Sequence, residues 1–427
     1  MLGKEIFRIT KGSRGELMSE NFWVSVLCTT YNHERFIADA IEGVIKQKTN
    51  FKYELIIHDD ASTDKTADIV KAYEMKYPEI IRAIYQKENQ YQRCNIYETF
   101  LFPEVKGKYI AICEGDDYWI DENKLQVQVD FLENNPKYSM CMHNAVKCNF
   151  ETGEESLLNT FPQDGTYSQE EQVKAGLGTD FPAFASYVVR TELLQNMPKF
   201  FLEQNVVDYP IRQYFASKGK VYYFQKPMSV YRTATPQSYM KKTSQNQLFY
   251  NNYTMQMIRF FEKYDYYTDK KFCKIIQTKL ISDYFGFCLS IEEEKGKKKA
   301  IEHGLDMGMV NACYQTFSLD NIKPFILELQ KKSNYIFIYG ISRLSAMCKK
   351  QLDDMGVDCE GYVVSDGQAR PEKIGEKSVY CLQEVLSVYP NSGFVLAVQP
   401  VNADSIIDVL RKNGIENYCE PYKVTKK

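Results

Sequence analysis

Seven consecutive residues, CEGDDYW (113–119), place Glu114, Asp116 and Asp117 within four positions, with Gly115 between the first two. Like charges this close repel unless a positive charge sits among them. The preceding KYIAI is a short apolar run, and the following IDENKLQVQVDFL has the pattern of an amphipathic helix. The acids therefore occupy a strand end. Two further polar stretches have the same setting. Thr29, Thr30, Tyr31, Asn32 and Glu34 end and follow the run VSVLCTT, and Asp59, Asp60, Ser62 and Asp64 end and follow YELIIHD. In open α/β sheets, ligands bind beyond the carboxyl ends of the strands. Three strand ends thus converge on one acidic rim.

Such a rim could bind a cation or a cationic substrate. Mg²⁺ and Mn²⁺ are held by one or two carboxylates together with substrate phosphates. One such ion would relieve the repulsion within EGDD, bridge to a diphosphate and stabilise it as a leaving group. The remaining carboxylates could accept hydrogen bonds from a nucleobase and a ribose. The plainer alternative is helix capping, since acids are favoured at helix N-termini. Capping accounts well for Ser62 or Asp64 and less well for Asp60.

The elements that must position these groups follow from periodicity. Strands are expected at VSVLCTT, YELIIHD, IIRAIY and KYIAIC. Ile37, Ile41, Val44 and Ile45 share one helical face, ADIVKAYEMKYP is helical up to Pro78, and Leu125, Val129 and Leu132 form a third stripe. This alternation predicts a parallel sheet covered on both faces. From about 137 to 235 the pattern is mixed, with strands at SMCMHNAV, ASYVV, VYYF and MSVYR and a helix over VVDYPIRQYFASKG. Residues from about 240 to 330 read as helical, with the charge run EEEKGKKK (292–299) as an exposed turn. Near Tyr335 a second α/β unit begins: YIFIYGIS leads into a helix carrying Leu344, Cys348 and Leu352. It reads as a Rossmann-like domain. Of the three glycines of a dinucleotide fingerprint only Gly340 is present, so a structural, oligomerising or acceptor-binding role fits it better than cofactor binding. The expected domains are an N-terminal extension (1–22), the site-bearing domain (23–239), a helical linker domain (240–332) and the C-terminal α/β domain (333–427).

Composition narrows the class. Of 427 residues, 44% are hydrophobic and 26% charged, which is ordinary for a globular protein with real cores. Lys and Arg number 53 against 56 Asp and Glu, which argues against a nucleic-acid binder. The 12 cysteines include no CxxC pair, so a reducing cytosol is expected. The N-terminal MLGKEIFRITKGSRGELMSE has no apolar core of a signal peptide, and no run approaches the ~20 apolar residues of a membrane span. The expected location is cytoplasmic, including the inner face of the membrane. The four histidines have no zinc spacing, although His33 and His58 lie near the rim.

VSVLCTTYNHERFIADAIEGVIKQ, YELIIHDDASTDKTADIV and GKYIAICEGDDYW together resemble the N-terminal half of inverting glycosyltransferases of family 2, from about 23 to 235. The resemblance implies a GT-A fold, a nucleotide-sugar donor, usually UDP-linked, and a Mg²⁺ or Mn²⁺ cofactor. It also implies a glycan or lipid-linked acceptor, surface polysaccharide synthesis, and inversion at the anomeric carbon. Carried over by position, it puts Thr30, Tyr31 and Glu34 beside the nucleobase and makes Asp60 the base-reading carboxylate. Glu114-Gly115-Asp116 stands where the family has Asp-x-Asp, which makes Asp116 the metal ligand, with Glu114 toward the ribose or the metal and Asp117 either serving beside them or only capping the next helix. Asp208 matches the catalytic base, with Val207 where an acid normally precedes it. Arg232, in SVYRTATPQS, matches a segment that closes over the diphosphate. Rival readings are a non-catalytic nucleotide-sugar-binding partner and a nucleotidyltransferase; the latter would need a Gly-rich basic loop that TTYNHERF does not supply.

Overall fold

The computed structural model describes residues 22–423 apart from 92, 176–180, 205, 239–240, 242–245 and 369. All of the expected N-terminal extension except its last residue lies outside the described residues. The chain divides into two compact units, residues 1–250 and 251–427.

The first unit is built on one mixed sheet. β1 (Val24–Thr30), β2 (Tyr53–Asp59), β3 (Ile81–Tyr85) and β4 (Tyr109–Ile112) run parallel in the order β3-β2-β1-β4. Every residue of β2 and β4 is buried, as continuous apolar strands between two helical layers require. α1 (Ile37–Ile45), α2 (Thr66–Lys76) and α3 (Lys124–Asn134) follow β1, β2 and β4. Ile37, Ile41 and Val44 of α1, and Leu125, Val129 and Leu132 of α3, pack in one core with Val26, Leu55 and Ile57. Each such side chain contributes about 1.5–3 kcal/mol when fully buried. A π-helical turn (Tyr97–Leu101) lies in the long connection to β4.

Beyond β4 the sheet becomes mixed, with antiparallel pairings. β5 (Tyr118–Trp119), β6 (Tyr138–Asn149), β7 (Glu155–Leu157), β8 (Gly165–Tyr167), β9 (Val188–Arg190) and β10 (Lys220–Thr233) complete it, with β9 antiparallel between β4 and β6. α4 (Gln169–Lys174) and α5 (Asp208–Lys218) also belong to this half. The runs VYYF and MSVYR, expected as two strands, form the single strand β10. Its pairing with β6 shifts register on either side of Pro227, so a bulge absorbs the residue that cannot donate to the ladder.

α6 (Gln247–Tyr267) runs across the boundary between the units. The second unit continues with α7 (Cys273–Leu289), α8 (Glu293–Glu302), α9 (Met307–Thr316) and α10 (Leu319–Lys332). The charge run expected as an exposed turn is instead most of α8. Glu293 pairs with Lys297 on its outer face, while Gly296 and Ala300 are buried. A sheet of order β13-β14-β12-β11-β15-β16 follows. Its strands are β11 (Tyr335–Tyr339), β12 (Gly361–Val364), β13 (Lys373–Ile374), β14 (Lys377–Cys381), β15 (Ser392–Leu396) and β16 (Tyr418–Cys419), all parallel except β13. α11 (Arg343–Asp354), α12 (Leu382–Val388) and α13 (Pro400–Lys412) connect them. Gly340 after β11 has φ +118, and a Cβ there would lie 2.7 Å from the Ala397 carbonyl, so the turn requires glycine. The 12 cysteines are all free, and no described helix is long and apolar enough to cross a membrane.

Candidate active site

Backbone hydrogen bonds join the three acidic strand ends directly. Asp60 N donates to Thr30 O at 3.0 Å, Gly115 N to Thr29 O at 2.9 Å, and Cys113 N to Leu27 O at 3.0 Å. The ends of β1, β2 and β4 are therefore one continuous surface. Gly115 is sterically required in it: a Cβ would lie 2.8 Å from Thr30 Oγ1 and 2.9 Å from His33 Nδ1.

The loops after β1 and β2 are laced together. Thr63 N donates to Asn32 Oδ1 (2.7 Å), Asn32 N to Ser62 Oγ (2.9 Å) and His33 N to Thr66 Oγ1 (2.8 Å). Glu34 N donates to Asp64 Oδ2 (3.1 Å), and Lys65 N donates back to Glu34 Oε2 (3.0 Å). The exposed Glu34 thus helps cap α2, while Tyr31 stays half-buried beside it. Asp60 is also engaged. Its two oxygens accept from Gln90 N (2.7 Å) and Tyr91 N (3.1 Å), tying the loop after β3 to the rim. Burial holds the Asp60 carboxyl above its ordinary pKa, against the pull of those two amides.

Glu114, Asp116 and Asp208 are each partly open to solvent, whereas Asp117 is 1% exposed. Burial, then Asp116 and Asp208, push Glu114 up to about 8. Burial, then Asp116 and Glu114, also raise Asp117 well above its ordinary value. Asp117 Oδ1 accepts from Arg232 N at 2.8 Å, but its Oδ2 is buried with no hydrogen-bond partner. This set of oxygens, with one orphaned and its neighbour driven toward protonation, fits a hard divalent cation. Among the described residues no three acid, imidazole or thiol groups close around one point. The arrangement therefore suits an ion that completes its shell with substrate phosphates and water rather than an all-protein cage.

Arg232 has partners already. Its guanidinium pairs with Asp39, donates through Nη1 to Asp116 O at 3.0 Å, and lies 4.4 Å from the Tyr118 ring and 5.2 Å from the Phe36 ring. A diphosphate would have to draw it from those contacts. Asp208 opens α5 and accepts from its own neighbour, Tyr209 N, at 2.7 Å. Burial raises its pKa, while that amide and Arg212 lower it.

The sequence reading missed several side chains around these acids. Thr235 Oγ1 donates to Asp116 Oδ2 at 3.3 Å. Tyr97, from the π-helical turn, is buried near Glu114 and Asp208, and Tyr187 and Tyr231 feel the same carboxylates. A π-helical turn often marks a functional position, but only backbone coordinates reveal it. His58 belongs to the core: it stacks on Phe100 at 5.0 Å, and burial lowers its pKa to about 4.

Residues 25–197 match the family model described as glycosyl transferase family 2. An uncharacterized protein of Mycobacterium tuberculosis is 32% identical over 210 residues, covering 49% of this chain and 58% of that protein. The Escherichia coli UDP-Glc:alpha-D-GlcNAc-diphosphoundecaprenol beta-1,3-glucosyltransferase WfaP is 33% identical over 110 residues, covering 26% of this chain and 41% of its own length. The chain thus spans about half the length of the curated relatives it matches. A solved structure of Staphylococcus aureus TarS, residues 1–349, has a TM-score of 0.48 at 14% identity, covering 78% of this chain and 92% of that one. By the family model and these relatives, residues 25–197 are similar to glycosyl transferase family 2.

Proposed function

We propose that this chain transfers a sugar, with inversion, from a nucleotide-diphosphate donor to a hydroxyl of a glycan or lipid-linked acceptor in surface polysaccharide synthesis. The observation that carries the reading is the convergence of Asp60, Glu114, Asp116 and Asp117 on hydrogen-bonded strand ends, with Asp208 among their electrostatic neighbours. UDP is the favoured nucleotide, because WfaP, a family relative, is named for a UDP-linked donor. Thr30, Tyr31 and Glu34 line the nucleobase side of the rim, and Asp60 holds the loop that closes that side while facing the base. Asp116, with Asp117 and Glu114 beside it, would hold Mg²⁺ or Mn²⁺. When bound, that ion would neutralise the diphosphate and make it a better leaving group. Arg232 keeps the Asp116-Asp117 turn in place through its hydrogen bonds to Asp116 O and Asp117 Oδ1.

Asp208 is the general base. As the acceptor oxygen attacks the anomeric carbon, its proton passes to the Asp208 carboxylate, while the bond from that carbon to the diphosphate oxygen breaks on the opposite face. Charge develops on the sugar ring as in glycoside hydrolysis, and a positioned carboxylate of this kind contributes about 10²–10⁴ in rate.

The test is UDP release from UDP-glucose, UDP-N-acetylglucosamine and UDP-galactose with water as the acceptor. At least one should turn over with Mn²⁺, stop on adding EDTA, and stop in Asp116→Ala. Binding of a UDP-sugar without turnover would make the chain a binding partner. Absence of both would end the glycosyltransferase reading.

A further inference from the structure

Beside Asp208 stands a buried cation that the chemistry above leaves unused. Arg212 lies one turn along α5, at the i+4 position that shares a helix face with Asp208. It is 1% exposed. Nη2 donates to two carbonyls at the end of α4, those of Gln172 (3.4 Å) and Ala175. Nε and Nη1 have no hydrogen-bond partner, and the Tyr209 ring lies 5.1 Å from the guanidinium. Among the described residues no carboxylate forms a salt bridge with it. Packing and the two carbonyls do not call for an arginine: a buried charge with unused donors is costly, and apolar residues of similar volume commonly replace such groups at no loss of stability.

What surrounds Asp208 supplies the reason. Glu114 at the end of β4, Tyr97 in the π-helical turn, Tyr187 just before β9 and Tyr231 in β10 all interact electrostatically with it. None of these carries a positive charge. Tyr187 also adjoins the Arg212 guanidinium. We propose that Arg212 is the positioning residue of the proposed base: its buried charge keeps Asp208 an oriented carboxylate among the acid and phenols that surround it. The inference rests on reading Asp208 as the base. It also accounts for Val207 at the position where the sequence comparison expected a second acid. Asp208 is then set by a cation behind it rather than by a carboxylate before it.

The experiment measures UDP release from the fastest UDP-sugar by the full chain with Mn²⁺, comparing Arg212→Gln, Arg212→Met, Arg212→Lys, Asp208→Asn and Asp208→Asn/Arg212→Gln. Gln retains a donor for the α4 carbonyls, and Met fills the volume. In either neutral variant kcat should fall about a hundred-fold, the low end of a general base's contribution, with donor KM nearly unchanged. Lys should recover most of the loss. Arg212→Gln should cost nothing further in the Asp208→Asn background, because both act through one group. Parent-like kcat in a folded neutral variant, with Asp208→Asn inactive, overturns the role of Arg212 and leaves the base reading standing. Parent-like kcat in Asp208→Asn overturns the base reading itself. If neither neutral variant folds while Arg212→Lys is folded and active, Arg212 belongs to α4–α5 packing and the proposal fails.

Discussion

Replacing Lys124 by Met should stabilise the first unit, and more so at low pH than at high pH. Lys124 is the first residue of α3 and is fully buried. Its Nζ has no hydrogen-bond partner and lies 3.9 Å from the centre of the Trp119 ring. Burial drives its pKa from 10.5 to about 7. At about 1.4 kcal/mol per pH unit, that is a penalty of order 5 kcal/mol for the charged form. Unfolded Lys124 keeps its proton up to its ordinary pKa, whereas the folded residue releases it above about 7. Between those limits the unfolded state binds more protons, so the stability of the parent rises with pH. Below about pH 7 the penalty is present in full. Methionine has a similar volume and no proton to lose. The gap in melting temperature between variant and parent should therefore be widest below about pH 7 and shrink steadily above it. From pH 7 to pH 9 it should close by about 2 kcal/mol, or roughly 4–8 °C for a unit of this size. The chain's two tryptophans, Trp23 and Trp119, both lie in the first unit, so their fluorescence follows that unit alone. Comparing variant with parent at each pH removes the titration of every other group. A gap that stays constant from acid to alkaline pH would refute the reasoning.

Three further perturbations have defined outcomes. Gly115→Ala should cost about 1–3 kcal/mol of stability, because its methyl group crowds Thr30 and His33, and should weaken UDP binding by calorimetry without removing any carboxylate. Arg232→Met should release the Asp116-Asp117 turn, costing about 1.5–3 kcal/mol for the lost charged hydrogen bonds and weakening Mn²⁺-dependent nucleotide binding; Arg232→Lys should rescue little, since it cannot reach Asp39 and Asp116 O together. His58 has its pKa depressed to about 4, so it destabilises the fold as pH falls from its ordinary 6.5 toward that value. His58→Phe, which preserves the stack on Phe100 but gives up the hydrogen bond to Gln86, should flatten that part of the acid-melting curve and lower stability at pH 8 only by the roughly 0.5–1.5 kcal/mol of that one bond.

The sheet was legible where strands were continuous and apolar. VSVLCTT and YELIIHD form β1 and β2 with the boundaries those runs suggest, because strands buried on both faces leave no polar alternation to blur their ends. The pattern failed where one residue type carried two meanings. Pro227 normally breaks a strand, yet the bulge lets β10 pass through it. EEEKGKKK has the composition of a solvated turn, but one face of it packs: a Cβ on Gly296 would run into the Tyr314 hydroxyl at 1.8 Å. At the site, the strand-end rule located the acids. It could not show how their side chains are committed. Asp60 is held by amides 30 and 31 residues onward, and Asp117 by one 115 residues away. Arg212 sat in plain view at i+4 from Asp208, but a lone arginine on a helix carries no signal until its burial and unused donors are known.

The lacing between the loops after β1 and β2 also bears on re-engineering donor choice. Asn32, Glu34, Asp59, Ser62, Asp64 and Thr66 each have a hydrogen-bond partner within or between these two loops. A substitution made to read a different nucleobase would alter the shape of the surface proposed to read it. The two loops form one exchangeable cassette: grafted as a pair from a relative with another donor preference they would bring their own geometry with them, whereas residues swapped singly would leave the opposite loop bonded to partners no longer there.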